Sequence, residues 1–414
     1  MQLRRIPFPV GVSGLPKPQL VARSFATPCY RRGFKTSTVV PLAAPNFAFA
    51  FDIDGVLLRA SRPLPGASHS LSLLQKQRIP FILLTNGGGM SESERITQLS
   101  DRLGVPLDPQ LIIQSHTPYT ELVGGKKGQE PLANKTVLVV GGSGDKCREV
   151  AKQYGFKSVL TPGDILMAHP SIWPFSKAFT SYYEGITKPL AKSIDPIDPS
   201  QGLKIDAILV FNDPRDWALD IQIIIDLLLS RDGIVGTLSD KNNRDDLPNR
   251  GYQQDGQPAL YFSNPDLLWA AGYHQPRLGQ GGFCAALEGV WAAMTGGSTS
   301  GVELLKTMIG KPHQLTYDFA EKRLVELRNK NFLHDDLSSL KTVYMIGDNP
   351  ESDIRGARSY RSPAGINWVP VLVKSGVYSG GTPTWSPKVI VDGVEQAVKW
   401  SLEQSGWDQN LSAK

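Results

Sequence analysis

The sequence predicts an α/β protein: a doubly wound parallel sheet into which a second α/β domain is inserted. Short apolar runs of strand length alternate with stretches of helical spacing, the pattern of a buried parallel sheet. The same rhythm restarts midway along the chain with enough apolar residues for its own core. Three of the runs end directly on a carboxylate or hydroxyl residue, Asp52, Thr85 and Asp348. The carboxyl ends of parallel strands share one edge, where ligands bind, so residues far apart in sequence can converge there.

Phe47 to Asp52 is a short aromatic run suited to a buried strand. A helix is expected over Ala67 to Gln77, followed by an apolar strand over Ile79 to Leu84 that leads into Thr85-Asn86-Gly87-Gly88-Gly89. Ser91 to Leu103 has helical spacing, with Ser91 and Glu94 placed as a capping box. Thr342 to Gly347, Val369 to Val373 and Val389 to Val391 supply three more strands. In the middle, Thr136 to Val140 runs into a glycine turn, and Ile205 to Phe211 precedes the apolar helix Trp217 to Leu229. Polar stretches at Lys126 to Glu130 and Asp240 to Gln257 are the expected hinges, and Pro258 to Phe262 the strand that returns to the first sheet. Gly296 to Ser300 and Arg328 to Ser339 are expected as surface loops.

The 414 residues are 41% hydrophobic and 20% charged, ordinary for a globular protein, and no apolar run approaches the ~20 residues of a membrane span. The net charge of +5 is local. No acid precedes Asp52, while Arg4, Arg5, Lys17, Arg23, Arg31, Arg32 and Lys35 do; the remainder holds 37 basic and 39 acidic residues. A near-neutral body argues against a nucleic-acid partner. The Arg-rich, Ser/Thr-bearing, acid-free segment has the composition of a mitochondrial transit peptide, with Arg31 to Ser37 as its processing region and the matrix as its destination; the alternative is a basic cytosolic tail. Cys29 lies in that segment, and Cys147 and Cys284 are too isolated for a zinc site and are expected in the core.

Two carboxylates flank one residue in Asp52-Ile53-Asp54-Gly55, and the segment resembles the first motif of the haloacid dehalogenase superfamily. Thr85-Asn86, Lys311 in Ile309-Gly310-Lys311-Pro312, and Gly347-Asp348-Asn349-Pro350-Glu351-Ser352-Asp353 resemble its other motifs, in the same order. The resemblance implies a HAD-like Rossmannoid core in which Asp52 attacks phosphorus and Asp54 serves as acid and then base. It implies Mg²⁺ held by the Asp52 carboxylate, the Asp54 carbonyl and the Asp348 carboxylate, a hard oxygen set suited to that ion. Thr85 is expected to bond a phosphoryl oxygen, Lys311 to pair with nucleophile and phosphate, and Asp353, with Asn86, to support them. Neighbouring carboxylates and enclosure are expected to raise the pKa of Asp54. The superfamily's ion-pumping ATPases carry Thr at that position; an acid there favours turnover over a stored phospho-enzyme.

Only 33 residues separate Asp52 from Thr85, but 226 separate Thr85 from Lys311. The insertion therefore lies between the second and third motifs, as in class IIA members with a C2-type cap. Leu84 to Gly89, Gln114 to Pro118, Val210 to Trp217, Tyr261 to Asp266 and Arg277 to Gly281 resemble the cat-eye-syndrome-critical-region-protein-5-like mitochondrial family, especially its fungal members. The implied organisation is a transit peptide to 45, core over 46–127, cap over 128–257, core over 258–405 and a tail from 406. The resemblance implies a phosphatase acting on a small phosphorylated substrate, with a loose tie to glycerophospholipid metabolism; a cap of this kind also offers a surface for homo-oligomers. A non-catalytic regulatory protein on the same scaffold, or transfer to an acceptor other than water, are the competing readings.

Several residues read two ways. Asn212, Asp213 and Arg215 are candidates for lining the substrate site, against a turn in which Asp213 or Asp216 caps the following helix. Asn264 and Asp266 either border the active edge or form a turn. Gly141 to Gly144 lacks the spaced third glycine of a dinucleotide loop, since Cys147 stands there, and reads as a tight turn. His116 and His169 are expected to be structural or surface residues.

Overall fold

The fold follows from where apolar side chains alternate and where they do not. It is described from a computed structural model that covers residues 44–125, 128–175, 179–194, 198, 202–269, 273–332 and 339–407. Residues 1–43 of the expected transit peptide lie outside these residues, as do Lys126 and Lys127 of the first expected hinge, 333–338 of the second expected loop and 408–414 of the tail.

Strand β1 (Phe47–Phe51) is buried on both sides: Phe47, Phe49 and Phe51 face one hydrophobic cluster, Ala48 and Ala50 another. It sits at the centre of a six-stranded parallel sheet with β2 (Phe81–Leu84) and β3 (Ile112–Ile113) on one side. On the other lie β9 (Thr342–Gly347), β10 (Asn367–Val373) and β11 (Val389–Val391), giving the order β11-β10-β9-β1-β2-β3. Helices α1 (Ala67–Lys76), α2 (Glu92–Leu103) and α8 (Val394–Gln404) cover the phenylalanine face through Leu71, Leu74, Leu99 and Val398. Helix α7 (Gln314–Asn331) covers the alanine face through Tyr317, Ala320 and Leu324. The expected double winding is present.

A second parallel sheet, ordered β8-β7-β6-β4-β5, comes from β4 (Thr136–Val140), β5 (Ser158–Leu160), β6 (Ala207–Val210), β7 (Ala259–Phe262) and β8 (Thr307–Met308). Helices α4 (Pro162–Ala168), α5 (Trp217–Leu229) and α6 (Gln280–Thr295) pack on one face through Ile165, Ile223, Phe283 and Trp291. Helix α3 (Lys146–Tyr154) closes the other through Cys147, Val150 and Ala151.

The boundary expected at residue 258 is corrected. Strand β7 does not return to the first sheet: Ala259 to Phe262 pair in register with Ala207 to Val210, and β8 adds beyond it. The inserted lobe therefore extends to Met308, with α6 in its core. An apolar strand looks the same whichever sheet it joins, so its pairing was not readable locally. Asp240 to Gln257 is not a hinge but is fastened within that lobe, where Asp255 takes the Ser239 hydroxyl at 2.7 Å and Lys241 at 3.0 Å. The expected loop from Arg328 is also corrected. Helix α7 continues to Asn331, and buried Arg328 donates to the Pro45 carbonyl at 2.8 Å.

Ser91 caps α2 by accepting the Glu94 N–H at 3.2 Å, while the Glu94 carboxylate pairs with Lys146 of α3 at 3.0 Å, tying the lobes together. Cys147 and Cys284 are buried and free, as expected.

Inside the second lobe, Arg148 is 1% exposed and grips Asp164 through two nitrogens at 2.6 and 2.9 Å. The Asp145 carboxylate, the Thr161 hydroxyl and two carbonyls, of Val159 and Ile186, complete its shell. Asp164→Ala removes the buried two-pronged carboxylate and leaves Asp145 as the counter-charge, and is expected to cost about 2–3 kcal/mol. Urea denaturation checks this; a loss below about 1 kcal/mol would mean that water relaxes into the site.

Candidate active site

Glycines make room for the carboxylates at the carboxyl edge of the first sheet. Asp52 directly follows β1 and is tied to β9 by its N–H bond to Ile346 C=O at 2.9 Å. Asp348 directly follows β9. A Cβ on Gly55 would stand 2.3 Å from Asp348 Oδ2, and one on Gly376 1.8 Å. The glycine after the two aspartates is thus required by a carboxylate nearly three hundred positions away. Val377 N–H donates to Asp348 Oδ2 at 2.6 Å. Asp353, on the turn after Pro350, accepts the Asn349 N–H at 3.1 Å.

Lys311 joins these elements. Its Nζ lies 2.6 Å from Asp52 Oδ1 and 2.8 Å from Asp353 Oδ1, and donates to Leu84 C=O at 2.8 Å, with the side chain 2% exposed. Carboxylate oxygens of Asp52, Asp348 and Asp353 come within 4.8 Å of one another. Three acids therefore face one lysine. Burial raises the Asp52 carboxyl, Lys311 draws it down, and Asp353 and Asp348 push it up again, leaving it well above the usual range. Asp348 is pushed up to about 7 by burial and then by Asp353. Burial lowers Lys311, but Asp353 and Asp52 more than offset this and hold it charged. The cluster is all hard oxygen and short of positive charge, so its chemistry fits a divalent cation such as Mg²⁺.

Thr85 is 5% exposed, and its Oγ1 accepts the Gly87 N–H at 3.0 Å. No acceptor for its own proton occurs among the described residues, so a phosphoryl oxygen could take it. Asn86 is bonded on both sides of Lys311: Oδ1 accepts the lysine N–H at 2.7 Å, and Nδ2 donates to its carbonyl at 2.9 Å. Asp54 departs from expectation in one respect. Its side chain is exposed rather than enclosed, with the partly buried Arg95 of α2 as an electrostatic neighbour.

The inserted lobe reaches this edge. A Cβ on Gly89 would meet Asn212 at 2.9 Å, which places Asn212 against the loop after Thr85. Asp213 Oδ1 is buried without a hydrogen-bond partner, and burial raises its carboxyl. Arg215 instead folds back on its own turn, donating to Asp213 C=O at 2.8 Å. Asp216 is the cap of α5, accepting the Leu219 N–H at 3.2 Å. The capping reading holds for Asp216, while Asn212 and Asp213 lie at this edge and Arg215 does not reach it. Asp266 does border the site: its two oxygens accept from Asn86 Nδ2 at 3.1 and 3.2 Å. His116 is fully buried, bonded to Tyr154 at 2.8 Å, and driven down to about 4 by burial, a structural role. His169 is exposed.

Known proteins resemble this chain in sequence and in fold. A family model described as haloacid dehalogenase-like hydrolase matches residues 49–157, and one described as HAD-hydrolase-like matches 308–397. A mitochondrial hydrolase of Saccharomyces cerevisiae is 38% identical over 87% of this chain and 96% of its own length. A cardiolipin synthase (CMP-forming)/mitochondrial hydrolase fusion protein of Schizosaccharomyces pombe is 39% identical over 93% of this chain; the chain spans 58% of that protein. In fold, the p-nitrophenyl phosphatase of Archaeoglobus fulgidus is similar with a TM-score of 0.52 at 15% identity, covering 86% of this chain and 99% of that one.

With no cation bound, Asp348 holds its proton more tightly folded than at its ordinary 3.8. Its stabilising contribution is complete below that value and is lost as pH rises through about 7. Thermal denaturation in EDTA should therefore show stability falling over this interval, and Asp348→Asn should flatten the slope. An identical slope in the variant would assign it to other groups.

Proposed function

The chain belongs to the haloacid dehalogenase-like hydrolase family, and from that premise we propose that it is a Mg²⁺-assisted phosphatase of a small phosphate ester. The observation that carries the reading is the Asp52 carboxylate held 2.6 Å from buried Lys311, beside two further carboxylates. In this reading an Asp52 oxygen attacks phosphorus, forming an aspartyl-phosphate as the bond to the leaving oxygen breaks. Exposed Asp54 gives that oxygen its proton and then takes one from the water that hydrolyses the acyl phosphate. Lys311 neutralises the nucleophile and the incoming phosphoryl oxygens, and Thr85 donates to one of them. Mg²⁺, held by Asp52, Asp348 and the Asp54 carbonyl with Asp353 alongside, would offset the repulsion between carboxylate and phosphate.

The inserted lobe acts as a C2-type cap. Its contacts support this: Asn212 lies against Gly89, Lys146 pairs with Glu94, and Tyr154 donates to Glu92 at 2.5 Å. Asn212 and Asp213 are the cap residues placed to meet substrate. The S. pombe relative's fusion to a cardiolipin synthase supports a phospholipid-related ester. The composition of residues 1–45 and the name of the S. cerevisiae relative support a mitochondrial, matrix location. No helix among the described residues is long and apolar enough to cross a membrane.

The full chain should hydrolyse phosphate monoesters with Mg²⁺ and fall silent in EDTA. Asp52→Asn should lower kcat by at least about a thousand-fold, and Asp54→Asn by about 10²–10⁴. Metal-independent turnover, or full activity in Asp52→Asn, would sink the mechanism. Mg²⁺ should also raise the melting temperature, by about 2.7 kcal/mol of stabilisation at a hundred times its Kd. A fusion of residues 1–45 to a fluorescent protein should reach mitochondria; diffuse cytosolic signal refutes the import claim.

A further inference from the structure

We propose that Asp266, supplied by the inserted lobe, is a positioning residue for Lys311: it fixes the Asn86 amide that clamps the lysine backbone, so that the lysine is aligned only when that lobe is seated. The catalytic consequence rests on the phosphatase reading; the clamp itself does not.

Asn86 is 7% exposed, and every polar valence of its amide that faces protein is used. The Lys311 N–H can only face an acceptor, which fixes the amide's orientation. Its two Nδ2 hydrogens then go to the Lys311 carbonyl and to the Asp266 carboxylate. Without Asp266 one of these hydrogens loses its acceptor in a largely buried place. The amide is then free to turn, and both bonds to the Lys311 backbone depend on it. From that backbone the side chain runs to Asp52, Asp353 and Leu84, so a loosened peptide displaces Nζ from the nucleophile.

The mount that presents Asp266 is rigid. Its N–H bonds Asn264 Oδ1 at 2.8 Å, and the Asn264 N–H bonds Gln280 Oε1 at 2.8 Å. Its carbonyl accepts the Gly281 N–H at 2.9 Å in the first turn of α6. Gly281 permits that approach, since a Cβ there would lie 2.3 Å from the Pro265 carbonyl oxygen. Every one of these groups belongs to the inserted lobe, whereas Asn86 belongs to the first sheet. The carboxylate thus bridges the lobes at the point nearest the chemistry.

Asp266 also faces charge. Burial pushes it up to about 6, with Asn86 and Lys311 drawing it down and Asp353 and Asp213 pushing it up. It is ionised at neutral pH and loses its charge in mild acid.

The test uses the full chain with Asp266→Ala and Asp266→Asn. Without substrate, amide hydrogen exchange across Ile309 to His313 should accelerate about tenfold or more in the alanine variant and return toward wild type in the asparagine one, which keeps an acceptor. With Mg²⁺ and p-nitrophenyl phosphate, alanine should lower kcat about 10- to 100-fold, the usual loss for a supporting hydrogen-bond partner, with little change in KM. Asparagine should restore most of that loss. Unchanged exchange with wild-type kcat in the alanine variant overturns the proposal, as does an equal loss in both variants. Accelerated exchange in a chain that hydrolyses no phosphate ester would uphold the clamp and refute the phosphatase reading.

Discussion

A buried ammonium group organises this site. Lys311 Nζ has three partners: it donates to Asp52 and to the Leu84 carbonyl, and it is ion-paired with Asp353. Burying a charge is tolerated only when its hydrogen-bonding capacity is filled with good geometry. The three partners belong to the ends of β1 and β2 and to the turn after β9, three neighbouring positions in the first sheet. Each must therefore end at the correct level. The glycines follow from this constraint. Gly55 and Gly376 leave the space that Asp348 occupies, and at Gly347 a Cβ would meet Asp353 Cγ at 2.3 Å.

The lysine does not complete the charge balance. Three carboxylates within 4.8 Å face one ammonium, so they can all be charged only if further positive charge joins them. No structural need explains this, because apolar residues of similar volume would be less costly. Carboxyls driven upward by burial and by one another mark a functional site. Asp348 is raised by burial and by Asp353, whereas Asp54 is exposed, so the two acids have different surroundings, as the proposed cation-binding and proton-transfer roles require.

What the sequence revealed and concealed follows from the range of each signal. Asp52, Thr85 and Asp348 were legible because each directly follows an apolar run, a local pattern. The order of the motifs and the size of the insertion were legible as spacing. Lys311 carries no strand signal, and only its resemblance to a motif drew it out. The end of the inserted lobe was misread at residue 258 because the pairing of β7 with β6 spans some fifty residues. Arg328 was taken for loop because its polar neighbours hide that it bonds Pro45, far away in sequence. Asp266 stood evenly between turn and site for the same reason, since its partner Asn86 is 180 positions distant. The expected enclosure of Asp54 failed because it assumed that the inserted lobe covers the whole edge.

The corrected boundary changes how the two lobes relate. With β7 and β8 both in the second sheet, Lys311 is three residues beyond the end of β8, and Asp266 four residues beyond the end of β7. The strands are parallel neighbours, Tyr261 opposite Thr307 and Phe262 opposite Met308, so both chains leave that sheet in the same direction. Ile309 is still bonded to the Phe262 carbonyl at 2.8 Å, and Gly310, at φ 89°, turns the chain while its N–H bonds Thr316 Oγ1 at 2.7 Å. The lysine is therefore carried to the first sheet by an extension of the second. Any rotation of the inserted lobe pulls on β8 and on the Asp266 mount together, and both lead to the same ammonium group. A lobe inserted between other motifs could cover the site without touching its charge balance. Placed here, it holds Lys311, the lysine of the proposed site, just beyond the end of its own strand.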